Sequence, residues 1–271
     1  MPVDITKSLS SKVQSEVGQE QSRCAPPGRT ERREARGLMS AVEWTLIRAM
    51  AAADSSLRLG EHIGLGIVSA QDCPKYALHR KEAGILSPRA RSRKQIEFAS
   101  GRAASHFALK QIGFLSPPPV LRGQKGEPLW PKRIVGSITH CYPWSVAVAI
   151  RCPNIFATGV DLETTKRMTG GDISELVCGS AELDWVRAGD AQERLTMIFS
   201  AKEAIYKVFY PLYQRYIDFK DVELTWVPTQ SCFHAKSLAP FGPSFPRGRV
   251  CAVHCGSYTD FIFSCMIHRS Q

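Results

Sequence analysis

No apolar run in this chain is long enough to cross a bilayer; the longest, such as Val146 to Ile150, fall far short of the roughly 20 residues a spanning helix needs. The amino terminus is polar and lacks the apolar centre of a secretory signal, so a cytoplasmic protein is expected. There is no CxxC pair. The nine cysteines are odd in number and scattered from Cys24 to Cys265. The tightest group, Cys251, His254 and Cys255 in an alternating apolar run, falls short of the four ligands that structural zinc takes, which leaves buried free thiols in a reducing compartment. No short-period repeat is present. Helices and strands do not alternate as regular βαβ units, so the fold class is α+β rather than a doubly wound parallel sheet. A reader of nucleic acid is also missing: there is no zinc-finger spacing, no RNP-like aromatic motif and no clear helix-turn-helix.

What is present suits a globular protein. A chain of 271 residues can build one large domain or two compact halves around a real core. The formal charge is +10, and its placement matters more than its size. Between residues 75 and 102, Lys75, Arg80, Lys81, Arg89, Arg91, Arg93, Lys94 and Arg102 face only Glu82 and Glu97, a net +6. Such a window attracts phosphates, nucleic acid or an acidic protein, or is simply a solvated helix face. Residues 1–37 are rich in Ser, Gln, Arg and Glu and poor in large apolar side chains, which predicts a disordered basic tail, with Met39 an alternative start. The remainder divides near residue 155 into α+β halves of similar make-up, 38–155 and 156–271.

Periodicity places strands at 64–69, 136–139, 145–150, 156–162, 222–227, 250–254 and 261–267. It places a helix at 93–112, with Ile96, Ala99, Ala103, Phe107 and Ile112 on one stripe and Gly113 as its C-cap. A second helix, 193–210, stops near Pro211. Three stretches carry candidate chemistry. The strand GVDLE projects Asp161 and Glu163 to one face and Leu162 to the other. Adjacent carboxylates repel unless something positive lies between them, and oxygen donors of this hardness suit Mg²⁺. In FSAKEAIYK, Glu203 and Lys207 are neighbours on a helix face, either an ordinary i,i+4 pair or a further metal carboxylate with a lysine for a phosphate or a proton. In GEPLWPKRIVGSITHC, Ser137, Thr139 and His140 offer hydroxyl and imidazole donors that suit a phosphate.

These stretches, in this order, resemble the 4′-phosphopantetheinyl transferase superfamily, in the large monomeric subgroup that includes enterobactin synthase component D. The helix segment EFASGRAASHFAL (97–109) is similar to that subgroup too. The resemblance implies two pseudo-twofold-related α+β halves with the active site in the cleft between them. It implies an enzyme that moves the 4′-phosphopantetheine arm of coenzyme A to a serine of an apo carrier protein, releasing 3′,5′-ADP, for siderophore, nonribosomal peptide, polyketide or fatty acid synthesis. Asp161, Glu163 and Glu203 match the family's Mg²⁺ ligands. Glu203 would take the serine proton and Lys207 would act near the reacting phosphate. Thr139 and His140 match the positions that hold the 3′-phosphate end of coenzyme A. Arg102 and the basic residues from Arg89 to Lys94, Arg93 among them, lie where further phosphate contacts occur. Glu127 departs from relatives that have a basic residue there. The basic window would also steer an acidic carrier protein.

Overall fold

A computed structural model describes residues 29–85, 92–167, 173–243 and 245–269. The part of the expected tail before residue 29, and Arg89 and Arg91 of the basic window, lie outside the described residues. The chain runs through helix α1 (Arg29–Ala53), strand β1 (Ile63–Ser69), helices α2 (Arg80–Ala83) and α3 (Ser92–Gln111), and strands β2 (Leu121–Arg122), β3 (Pro128–Leu129), β4 (Val135–Cys141) and β5 (Trp144–Ile150). Strand β6 (Ile155–Thr164) follows, then α4 (Ser174–Val177), α5 (Ser180–Arg187), α6 (Ala191–Tyr213), β7 (Val222–Val227), β8 (Cys232–Ser237), β9 (Val250–Tyr258) and β10 (Phe261–Arg269). Among the described residues no helix is long and apolar enough to cross a membrane.

Among the described residues two large antiparallel sheets form, ordered β1-β5-β4 and β6-β10-β9-β8-β7, with β2 and β3 a separate two-stranded pair. The order repeats. In each half the first strand pairs with the last, the last pairs with the strand before it, and a long helix packs on the first strand. The mixed fold with two related halves is therefore the observed one. Small residues set the helix-to-sheet distance in both halves. A Cβ on Gly66 would lie 2.0 Å from the carbonyl oxygen of Ala104 on α3, and one on Gly159 would lie 2.0 Å from that of Ala204 on α6. Strand β5 is buried on both faces: Ala147 and Ala149 meet α3, while Val146, Val148 and Ile150 enter a shared core with Val160 and Leu162 of β6, Phe263 of β10 and Leu38, Val42 and Leu46 of α1.

Helix α1 corrects the tail expectation, because it reaches back to Arg29. Leu38, Val42 and Leu46 recur at helical spacing, and burying that stripe against β9 and β10 offsets the ordering entropy that composition alone could not. Two other expectations shift. Of the expected α3 stripe, Ala103 and Ile112 are buried, but Ile96 is left 37% exposed, and the small residues Ser100, Ala104, Ser105 and Ala108 take much of the buried side. Helix α6 runs through Pro211 to Tyr213 and ends at Gln214, whose positive φ of 52° lets its N–H reach the Tyr210 carbonyl.

A buried glutamate pins each half. Glu82 accepts the His79 N–H through one oxygen, and the Val120 N–H and His106 Nε2 through the other. Glu182 accepts the Gly179 N–H and the Lys202 ammonium through one oxygen and the Leu224 N–H through the other. Each carboxylate thus ties the start of a short helix, the long helix and the following strand region together. Lys202 also donates to the carbonyls of Val177 and Phe219, both at 2.8 Å. Burial pushes its ammonium below the usual lysine value, and Glu182 only partly offsets this. Lys202→Met should therefore destabilise the protein by about 3–5 kcal/mol in urea unfolding, because Glu182 would stay buried and unpaired. Burial raises the Glu82 carboxyl, but hydrogen bonds from His106 and the backbone outweigh it and hold the group below its usual 4.5. A lowered carboxylate stabilises the fold above that pH and loses its contribution as pH falls through the folded value. The stability gap between the parent and Glu82→Gln should accordingly be widest near neutral pH and close in acid, as read by unfolding at a series of pH values.

Candidate active site

The candidate residues gather at the seam between the sheets. Strands β4 and β6 are the edge strands of their sheets and lie against each other. No regular ladder joins them; hydroxyls do. Ser137 Oγ accepts the Val160 N–H at 3.1 Å, and Thr139 Oγ1 accepts the Leu162 N–H at 3.0 Å. Residues two apart on β4 thus meet N–H groups two apart on β6, which is the strand period on both sides. The same Thr139 hydroxyl donates to Asp161 Oδ1 at 3.2 Å.

Strand alternation points Leu162 into the shared core and Asp161 and Glu163 toward α6. Asp161 is 3% exposed. The cation that neutralises it in this structure is Lys207, whose ammonium donates to Asp161 Oδ1 at 2.6 Å and to the Val160 carbonyl at 3.1 Å. The lysine of the i,i+4 pair therefore reaches across to β6. Asp161 Oδ2 is buried with no hydrogen-bond partner. Glu203 lies one turn before Lys207. Burial and the nearby Asp161 charge push its carboxyl up to about 7, with Lys207 opposing. Burial works against the charged form of Lys207, yet Asp161, Glu203 and Glu163 outweigh it and raise the group above the ordinary lysine value. The three acids thus act on one lysine, although among the described residues no three His, Cys, Asp or Glu side chains are gathered closely enough to grip a metal ion.

Where the seam opens, β4 and β6 border a cleft of about 440 Å³. Glu203 and Lys207 line it together with Trp130, Ile134, Phe156 and Tyr210, and Lys125 reaches it from the turn between β2 and β3. The Trp130 Nε1 donor is buried without a partner.

The expected phosphate contacts separate. Thr139 and His140 are neighbours on a strand and so face opposite ways: Thr139 is 3% exposed and spent on β6, whereas the His140 side chain is 53% exposed. His140 Nε2 lies 3.5 Å from Glu97 Oε2, and the other oxygen of Glu97 takes Arg93 Nε at 3.0 Å. Arg102 is turned inward and is 6% exposed. It donates to the Leu121 carbonyl at 3.2 Å and lies 4.4 Å from the Phe98 ring centroid. Burial, only partly offset by Glu82, lowers it to about 10. Of Thr139, His140, Arg93 and Arg102, the structure brings His140 and Arg93 together at the surface through Glu97, while Thr139 and Arg102 are buried. Glu97 and Trp130 escaped assignment from the sequence, and Ser137, read there as a phosphate donor, accepts the Val160 N–H instead. The i,i+4 spacing of Arg93 and Glu97 was visible, but their meeting with β4 was not.

Residues 81–150 match the model of the 4′-phosphopantetheinyl transferase N-terminal domain, and residues 157–250 match that of the 4′-phosphopantetheinyl transferase superfamily. The chain is 35% identical over 179 residues to the 4′-phosphopantetheinyl transferase Svp of Streptomyces mobaraensis, covering 64% of this chain and 71% of that protein. It is 34% identical over 146 residues to the 4′-phosphopantetheinyl transferase PptT of Mycobacterium tuberculosis, covering 54% and 64%. It is 33% identical over 120 residues to enterobactin synthase component D of Salmonella typhi, covering 43% and 49%.

The double use of the Thr139 hydroxyl gives a direct test. Thr139→Val leaves the Leu162 N–H unpaired and should cost about 1–3 kcal/mol in urea unfolding. Thr139→Ser should recover most of that loss.

Proposed function

Because the chain belongs to the 4′-phosphopantetheinyl transferase superfamily, which transfers the arm of coenzyme A to carrier proteins, we propose that the seam between β4 and β6 is its catalytic centre. The observation that carries this reading is the convergence of Asp161 from the strand with Glu203 and Lys207 from α6, the last two on the wall of the cleft beside the seam. Asp161, Glu163 and Glu203 would hold Mg²⁺. These acids do not form a ready metal cluster here, but the buried, partnerless Oδ2 of Asp161 and the all-oxygen donor set are what a small hard cation takes. When bound, the ion would supply charge neutralisation on the pyrophosphate of coenzyme A.

The remaining roles fall to the chain's own groups. The serine hydroxyl of the carrier attacks the phosphorus attached to the arm, and the phosphorus–oxygen bond to 3′,5′-ADP breaks. Glu203 takes the serine proton, directly or through a water, and Lys207 stabilises charge on the phosphate oxygens or protonates the leaving group. The pantetheine arm, an extended chain with two amides, suits a narrow cleft between two strand edges with the Trp130 N–H as a donor. His140 and Arg93 lie apart from the acids and suit the 3′-phosphate, which does not react. The carrier would be an acyl or peptidyl carrier of siderophore, nonribosomal peptide, polyketide or fatty acid synthesis, and the enzyme monomeric and cytoplasmic.

Transfer of the arm from coenzyme A to a purified apo carrier domain, with Mg²⁺ added, tests the assignment. Asp161→Asn should remove transfer. Lys207→Ala should lower kcat by about 10²–10³ while moving the KM for coenzyme A much less, because its charge acts where charge develops. Near-parental turnover of Asp161→Asn would overturn the metal assignment, and a pure KM effect at Lys207 would overturn its role in the transfer step.

A further inference from the structure

His140 and Arg93 reach the same surface from different elements, one from β4 and one from the start of α3, and they share a single anion. Glu97 binds Arg93 Nε through Oε1 at 3.0 Å and faces His140 Nε2 with Oε2 at 3.5 Å. Its side chain is 13% exposed, whereas those of Arg93 and His140 are 37% and 53% exposed. The carboxylate is therefore set back in the protein, with both cations in front of it and open to solvent. The Arg93 guanidinium also lies 5.2 Å from the centroid of the Tyr142 ring, a second hold on the same group.

An anion behind two cations does not itself attract a phosphate. It acts by fixing them. A free arginine side chain has about 2 kcal/mol of rotamer entropy to lose on binding, and one already held by a carboxylate and a ring has less. Glu97 engages the inner guanidinium nitrogen, which leaves the outer fork to a phosphate. A carboxylate on one imidazole nitrogen fixes the orientation of the ring. Were Glu97 merely the partner in an i,i+4 helix pair, its worth would end at a few tenths of a kcal/mol. The reach to His140 on another element goes beyond that.

We propose that Glu97 is a positioning residue that sets Arg93 and His140 for the 3′-phosphate of coenzyme A, and so gives the enzyme its preference for coenzyme A over the form lacking that phosphate. The proposal rests on the reading of Arg93 and His140 as the 3′-phosphate contacts. The test compares kcat/KM for coenzyme A with that for 3′-dephospho-coenzyme A in the parent, Glu97→Gln, Arg93→Ala and His140→Ala, with thermal unfolding recorded for each. Glu97→Gln should keep kcat at saturating coenzyme A and raise the KM for coenzyme A about tenfold, the scale of one charge-assisted hydrogen bond. It should leave the KM for the dephospho form unchanged. Added to Arg93→Ala with His140→Ala, it should do nothing further. If Arg93→Ala and His140→Ala reduce the preference but Glu97→Gln does not, or if Glu97→Gln weakens both substrates equally, Glu97 only braces the helix and the proposal is wrong. If neither cation affects the preference, the phosphate reading itself falls and takes the proposal with it.

Discussion

Everything at the site depends on how two edge strands are joined without a ladder. A regular pairing of β4 with β6 would merge the sheets and leave no cleft. The hydroxyls of Ser137 and Thr139 instead satisfy two N–H groups of β6 at side-chain length. That holds the seam shut at Asp161 and lets it part around Gly136 and Ala157. A buried N–H without a partner would cost about 1–3 kcal/mol, so both hydroxyls are constrained by the fold before any substrate is considered. Thr139 also fixes Asp161 Oδ1, and the remaining cationic partner comes from α6.

The two halves share a plan but only one carries the acids. Gly66 against Ala104 and Gly159 against Ala204 are equivalent contacts. Counted from them, Asp161 corresponds to Val68, Glu203 to Ala103 and Lys207 to Phe107. Val68 and Ala103 are buried in an apolar cluster with Phe107 packed beside them. The first half has thus filled the equivalent site with hydrocarbon, and the repeat of architecture yields a single site. The structural pins, by contrast, are kept on both sides. Glu82 and Glu182 bind backbone N–H groups in the same pattern, although the long helix answers one with His106 and the other with Lys202. Backbone N–H groups that must be satisfied recur wherever the fold recurs, while the charges of the seam occur only in the half that borders them with a cleft.

Local signals were legible in proportion to their regularity. The alternation of 222–227 predicted β7 to the residue, and Gly113 closes α3 as a C-cap with φ of +94°. Strand β8 was missed although Phe233 and Ala235 are buried between the exposed His234 and Lys236, because two alternating apolar positions are too short a run to mark a strand. Helix α1 was hidden by the polar composition around it, since only docking on β9 and β10 rewards its stripe.

The sequence by itself determined which residues are candidates for the chemistry. A strand-end Asp161 and Glu163, followed on a helix by Glu203 and Lys207, stand out because strand and helix periods fix their faces locally. Only the tertiary structure decided what those groups meet. Lys207 reaches Asp161 rather than pairing along its own helix, Thr139 turns from a phosphate contact into the link between the halves, Arg102 turns inward, and Glu97 joins Arg93 to His140. Each of these is a contact between elements far apart in the chain. Periodicity records which way a side chain points, but not what the fold brings opposite it.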